Sequence, residues 1–235
     1  MQCFLDSGYA ALLLTSARTL DIDFDCRGHI LNDSRISTSE EMSYFVQNIL
    51  EFFNYIRQIA PNIKGVSVQW ESIYTKTEGL DDDSTFSNVI LKLAKGMSDV
   101  SLYGYMNPKA IGRYVPDAFS GLAALSYASR DSEMGLEIIR INAKTLQRLV
   151  IIGMADACVN RLFYHEDNSD EPIIYPSLKK LTLYCNDHLV SQPVREHVCH
   201  FPKLESIRLD GSYPALSSIF FNENKTLKDT GFSVL

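Results

Sequence analysis

The sequence predicts an α/β fold, an irregular solenoid with parallel strands on a concave side and helices on a convex side. Three observations predict it. A short apolar pattern, L-x-x-L-x-L with any apolar residue at the marked places, recurs along the chain. The stretches between copies carry apolar residues at helical spacing. Strand and helix signals therefore alternate throughout, the order that yields a parallel sheet covered by helices.

The clearest copies are Leu178, Leu181 and Leu183, then Leu204, Ile207 and Leu209, then Leu146, Leu149 and Ile151. Looser copies precede them: Ala17, Leu20 and Ile22; Ile63, Val66 and Val68; Met97, Val100 and Leu102; Leu122, Leu125 and Tyr127. The weakest is Leu227, Thr230 and Phe232. In a strand, alternate side chains face one side. The second and third marked residues therefore point inward together, and the first sits three earlier, where the chain turns into the strand. One such unit cannot bury its apolar face alone, but stacked units bury a continuous core.

The strongest helix signal covers 38–59, where Thr38 and Glu41 have capping-box spacing. Met42, Phe45, Val46, Ile49, Leu50, Phe53 and Ile56 form its apolar stripe, and Pro61 stops it. A second helix is expected over 84–95, with Phe86, Val89, Ile90 and Leu93 inward. Shorter ones are expected over 108–115, 134–141, 155–163 and 190–199.

The middle residues of the copies are 46, 34, 25, 24, 32, 26 and 23 positions apart. Four of these steps fall within the roughly 20–29 residues of a leucine-rich repeat. The longer steps need insertions. The stretches NAKTLQRLVIIGM, YPSLKKLTLYCND and FPKLESIRLDG resemble the ribonuclease-inhibitor-like leucine-rich repeats of F-box proteins, especially the divergent fungal ones. The resemblance covers the C-terminal third well and the N-terminal half only in rhythm. It implies a single array of about eight irregular repeats over 1–235, binding protein partners on its concave face, as substrate receptors of ubiquitin ligases do.

Two departures stand against that likeness. No F-box-like helical segment precedes the repeats. The asparagine or cysteine usual three places after the last leucine occurs only as Asn186, while Asp25, Glu71, Tyr105, Met154 and Ser212 stand at corresponding places. Irregular turns are therefore expected. Leu235 ends the chain just past a strand, so terminal caps are expected to be missing, and self-association through the uncapped end repeats follows as an expectation.

Bulk properties narrow the function classes. With 235 residues, 46% of them hydrophobic, the chain can bury a substantial core. Its formal charge of -7, from 29 acidic and 22 basic residues, argues against a general nucleic-acid binder, which needs a basic face. The five cysteines, Cys3, Cys26, Cys158, Cys185 and Cys199, are odd in number and irregular in spacing. They read as free thiols in a reducing compartment. No run approaches the ~18 apolar residues of a membrane span. The short apolar run at 10–14 lacks the basic flank of a signal peptide and reads as a helix end. A cytoplasmic or nuclear protein is expected, with no nucleic acid and no membrane as partner.

The register names the outward strand positions. The central column is Asp21, Ser67, Ser101, Ser126, Val150, Thr182 and Arg208. One flanking column is Asp23, Gln69, Tyr103, Ala128, Ile152, Tyr184 and Asp210, and the other is Thr19, Gly65, Asp99, Ala124, Arg148, Lys180 and Ser206. The face is acidic toward the N-terminus and basic toward the C-terminus. Aromatic residues and arginine dominate interface hot spots. The expected partner-binding residues are therefore Tyr103, Arg148, Ile152, Lys180, Tyr184 and Arg208. The plain alternative is that they are solvated strand residues.

No catalytic, cofactor-binding or metal residues are expected. Cys185, His188, His197, Cys199 and His200 have the composition of zinc ligands but not a converging arrangement. They read as buried cysteine and ordinary surface histidines. Asp21, Asp23 and Asp25 share a strand face but lack the glycine turn and later glutamate of a calcium loop. The acidic runs 81–83 and 166–171 read as solvated loops. No P-loop, dinucleotide fingerprint or nucleophile elbow occurs. The rival to a binding solenoid is an α/β enzyme or small-ligand domain without a recognisable motif.

Overall fold

A computed structural model describes residues 16–24, 39–70, 90–104, 118–128, 132–153, 160–163, 172–184, 200–210 and 229–233. The fold is α/β, and within each unit every strand pairing among the described residues is parallel. The chain divides into two compact units, Met1–Ala118 and Phe119–Leu235. The first holds β1 (Thr19–Phe24), α1 (Ser39–Ile59), β2 (Gly65–Trp70) and β3 (Asp99–Tyr103). The second holds β4 (Ala124–Ala128), α2 (Ser132–Ile141), β5 (Arg148–Ile152), a 3-10 turn (Asn160–Leu162), β6 (Lys180–Tyr184), β7 (Ser206–Asp210) and β8 (Asp229–Ser233). Within each unit the strands pair in chain order. No helix among the described residues is long and apolar enough to cross a membrane.

Each strand begins where the apolar pattern places it. The inward residues Val66 and Val68, Val100 and Leu102, Leu125 and Tyr127, Leu149 and Ile151, Leu181 and Leu183, and Ile207 and Leu209 are all buried. So are the leading residues Met97, Leu122, Leu146, Leu178 and Leu204.

A tight turn brings the chain to most strands. The N–H groups of Ile63, Met97, Leu178 and Leu204 donate to the carbonyls of Ala60, Ala94, Tyr175 and Phe201, three residues back. All four acceptor residues are buried. Pro61, Pro176 and Pro202 take the second turn position, where their fixed φ is already correct. The turn at 94–97 has no proline. Instead Gly96 stands third with φ 77°, a conformation that side chains resist. Gly121, at φ 79°, plays the same part in 119–122.

The turn at 119–122 is closed by a side chain. Asn142, fully buried, accepts from Leu122 N–H at 2.8 Å and donates to the Phe119 and Ile138 carbonyls. Thr145 Oγ1 donates to the Leu122 carbonyl at 2.7 Å. One buried amide thus replaces the turn's own hydrogen bond and ties it to the turn leading into β5.

Just before β1, β2, β4, β5 and β6 a single carbonyl accepts twice. Arg18 receives the N–H groups of Lys64 and Gly65, and Lys64 receives those of Ser98 and Asp99. In the second unit Ala123 receives Gln147 and Arg148, Gln147 receives Lys179 and Lys180, and Lys179 receives Glu205 and Ser206. A carbonyl oxygen has two lone pairs and can serve both donors. These pairs hold the first residues of neighbouring strands level.

The helices follow the sequence in part. In α1, Phe53 and Ile56 are buried as the stripe requires. Met42, Phe45, Val46 and Ile49 have side chains outside the described residues. Residues 90–94 of the expected 84–95 helix are helical, with Ile90 and Leu93 buried. Arg57 Nη2 donates to the carbonyls of Leu93 and Lys95, at 2.8 and 2.9 Å, and ends that helix. The expected 134–141 helix is α2. Of 155–163, the described part is only the 3-10 turn, drawn toward α2 by the ion pair between Arg161 and Glu133. The segments 108–115 and 190–199 lie outside the described residues.

Two substitutions test this account. Asn142→Ala orphans the Leu122 N–H and the Phe119 carbonyl, so a loss of about 2–4 kcal/mol is expected in urea unfolding. Gly135→Ala should reverse the usual helix gain of ~1 kcal/mol. A Cβ there would stand 2.6 Å from the buried Tyr127 ring. Overpacking of that kind should leave the variant about 1–2 kcal/mol less stable, read as a lowered Tm.

Candidate functional site

The strand register brings most of the expected contact residues together. Arg148 stands level with Lys180, and Ile152 stands level with Tyr184, on adjacent strands. Arg208 is level with Thr182 on the next strand. Its guanidinium lies over the Tyr184 ring, 5.5 Å from the centroid. This is a cation–π contact, and it joins two side chains that sequence alone could only place in neighbouring columns. Arg148, Lys180, Ile152 and Arg208 are exposed, while Val150, Thr182 and Tyr184 are half-buried. Ile152 keeps 37% of its surface, unusual for a large apolar residue on a strand. The Gly153 N–H donates to the Tyr184 carbonyl at 2.8 Å and holds the strand ends together.

Tyr103 ends β3 in the other unit, half-buried and level with Gln69. In that unit the outward column runs through Asp21, Ser67 and Ser101. Asp21 is exposed, whereas the side chains of Asp23 and Asp25 lie outside the described residues.

A cavity of about 360 Å³ in the first unit is lined by Gln47, Glu51, Asn54, Arg57, Lys92 and Lys95 among others. Three of its polar groups, Arg57, Gln47 and Glu51, are turned to local structure. Arg57 serves helix carbonyls, and Gln47 Nε2 donates to Glu51 at 2.9 Å. Burial lowers the Arg57 pKa.

Among the zinc-like residues, His200 departs from the surface position expected for it. It is 2% exposed. Nδ1 donates to the Ile173 carbonyl at 2.8 Å, because a carbonyl can only accept. The ring meets Phe163 edge-on at 5.2 Å, and Phe201 stacks on Tyr175 at 5.1 Å. Histidine here is one member of an aromatic core that begins only when its chain-distant partners fold over it. Cys185, His188, His197 and Cys199 lie outside the described residues. No group of three His, Cys, Asp or Glu placed to hold a metal occurs among the described residues.

Comparison with known proteins returns no matching family model, no matching curated protein and no matching solved structure.

The aromatic core predicts an alkaline response. Burial raises the Tyr175 pKa far above the usual 10.0, opposed in small part by the charge of Arg140. The folded-state pKa exceeds the unfolded one, so the associated stability is full below pH 10.0 and is lost as pH rises beyond it. Tyr175→Phe removes a hydrogen bond to the Leu162 carbonyl, costing about 1–2 kcal/mol at neutral pH. Its unfolding free energy should then fall less steeply than that of the wild type above pH 10.0, in urea titrations across that range.

Proposed function

We propose that the chain is a leucine-rich-repeat solenoid of the F-box-related kind, acting in the cytoplasm or nucleus as a binding module for a protein partner. The strands would line its concave side and hold the partner there. Substrate selection for ubiquitin transfer is the role that this lineage suggests. The level, chain-ordered strands and the buried leading leucines support the solenoid reading. So does the doubly accepting carbonyl before strand after strand.

The observation that carries the binding reading is the patch formed by Ile152, Tyr184 and Arg208. An exposed aliphatic side chain stands beside a tyrosine that already supports an arginine. Aromatic and arginine anchors of this kind carry most of the energy in protein interfaces. Presetting the arginine lowers the ordering cost of association.

Affinity capture from native extract should recover a discrete protein set with the wild type and lose it with Tyr184→Ala/Arg208→Ala. Each substituted side chain at a hot spot should weaken capture by about 1–2 kcal/mol or more. Ligase subunits in the set would support the F-box lineage. An unchanged set in the double variant would rule out this face.

A further inference from the structure

We infer that the outward face of β5, β6 and β7 receives an extended acidic segment of the partner, with Lys180 and Arg208 taking carboxylates two positions apart and Ile152 beside Tyr184 taking an apolar side chain. This rests on the protein-binding reading and adds the chemistry of the partner.

The spacing supplies the first argument. Arg208 is level with Thr182, two residues beyond Lys180. At ~3.3 Å per residue the Cα positions of Lys180 and Arg208 are about 7 Å apart along the strands, and about 4.8 Å apart across them. An extended polypeptide presents side chains on one side at the same interval of ~7 Å. Acids at positions i and i+2 therefore reach both cations at once. Arg148 is level with Lys180 on the neighbouring strand. Ile152 and Tyr184 lie four residues along from Arg148 and Lys180, about 13 Å on, and meet the side chain at i+4.

The second argument is the state of Arg208. The Arg208 guanidinium carbon lies over the Tyr184 ring. The N–H donors lie in the guanidinium plane and form a fork along its edge. That edge matches a carboxylate through two parallel hydrogen bonds. Tyr184 is thus a positioning residue for Arg208.

The third argument is the limit of the positive charge. On the described outward face of β5, β6 and β7 the positive side chains are Arg148, Lys180 and Arg208. The cationic strip is short, and Ile152 flanks it. A nucleic acid needs a longer basic track to neutralise successive phosphates, and the chain as a whole carries -7. A short acidic segment needs only the charges present.

A random peptide display library selected on the immobilised full chain tests the inference without presuming a sequence. Wild type should enrich peptides with two acids spaced by one residue and an apolar residue beyond them. Lys180→Gln/Arg208→Gln should bind the recovered peptides about tenfold more weakly or worse, with an unchanged Tm. Tyr184→Phe should retain binding and Tyr184→Leu should lose it, which separates positioning from bulk. Enriched peptides without acids, or acid-rich ones indifferent to the double variant, would overturn the proposal. If such peptides were still lost in Ile152→Ser/Tyr184→Ala, the binding face would survive and only its acidic preference would fall. Absence of any enrichment would overturn the acidic-segment receptor, and indifference to both variants would remove the face as well. A single-stranded oligonucleotide that outcompeted the selected peptides would replace the inference with nucleic-acid binding.

Discussion

The carbonyl that precedes β1, β2, β4, β5 and β6 and accepts two N–H groups from the start of the following strand is the constraint on which the rest of each unit depends. Arg18 and Lys64 fill this role in one unit, and Ala123, Gln147 and Lys179 in the other. Two donors meeting one acceptor mark the register at the strand's near end, and burial of alternate side chains resists a slip from it. A slip of one would turn Leu149 and Ile151 outward and bring Val150 in, since side chains alternate along a strand. Register, burial and the outward columns are thus set together. Arg148 stands beside Lys180, and Ile152 beside Tyr184, for the same reason that Leu149 and Leu181 are buried.

Much of this was legible in the chain because it is local. Leu178, Leu181 and Leu183 state where a turn ends and which face of a strand is buried, and those three residues suffice. Proline or glycine at the turns preceding β2, β3, β4, β6 and β7 adds a second local signal, which the apolar pattern alone had not used. The outward columns follow by counting alternate residues. The α1 boundary follows from Pro61, which cannot continue a helix.

What escaped the sequence is what distant segments do to one another. Asn142 reads as an unremarkable turn residue until its amide meets the 119–122 turn, some twenty positions earlier. His200 reads as a surface histidine until Phe163 and Tyr175 close over it. Of the expected 155–163 helix the described part is a 3-10 turn, where Arg161 pairs with Glu133, a partner 28 positions earlier. The Arg208 and Tyr184 contact lies between these cases. Counting placed both residues on one face, but only their rotamers decide that cation and ring meet.

The turns leading into the strands have a consequence for how such a chain can change. The intervals between middle residues range from 23 to 46, yet the strands remain level within each unit. Because register is anchored at the strand's near end, whatever lies between one strand and the next turn can lengthen without disturbing the pairing. The inward residues answer to the core and the outward ones do not. The two kinds of position are therefore separable currencies of variation. A lineage built on this plan can grow its loops and redraw its outward columns one strand at a time, while the same few buried leucines keep the frame in which each new surface is read.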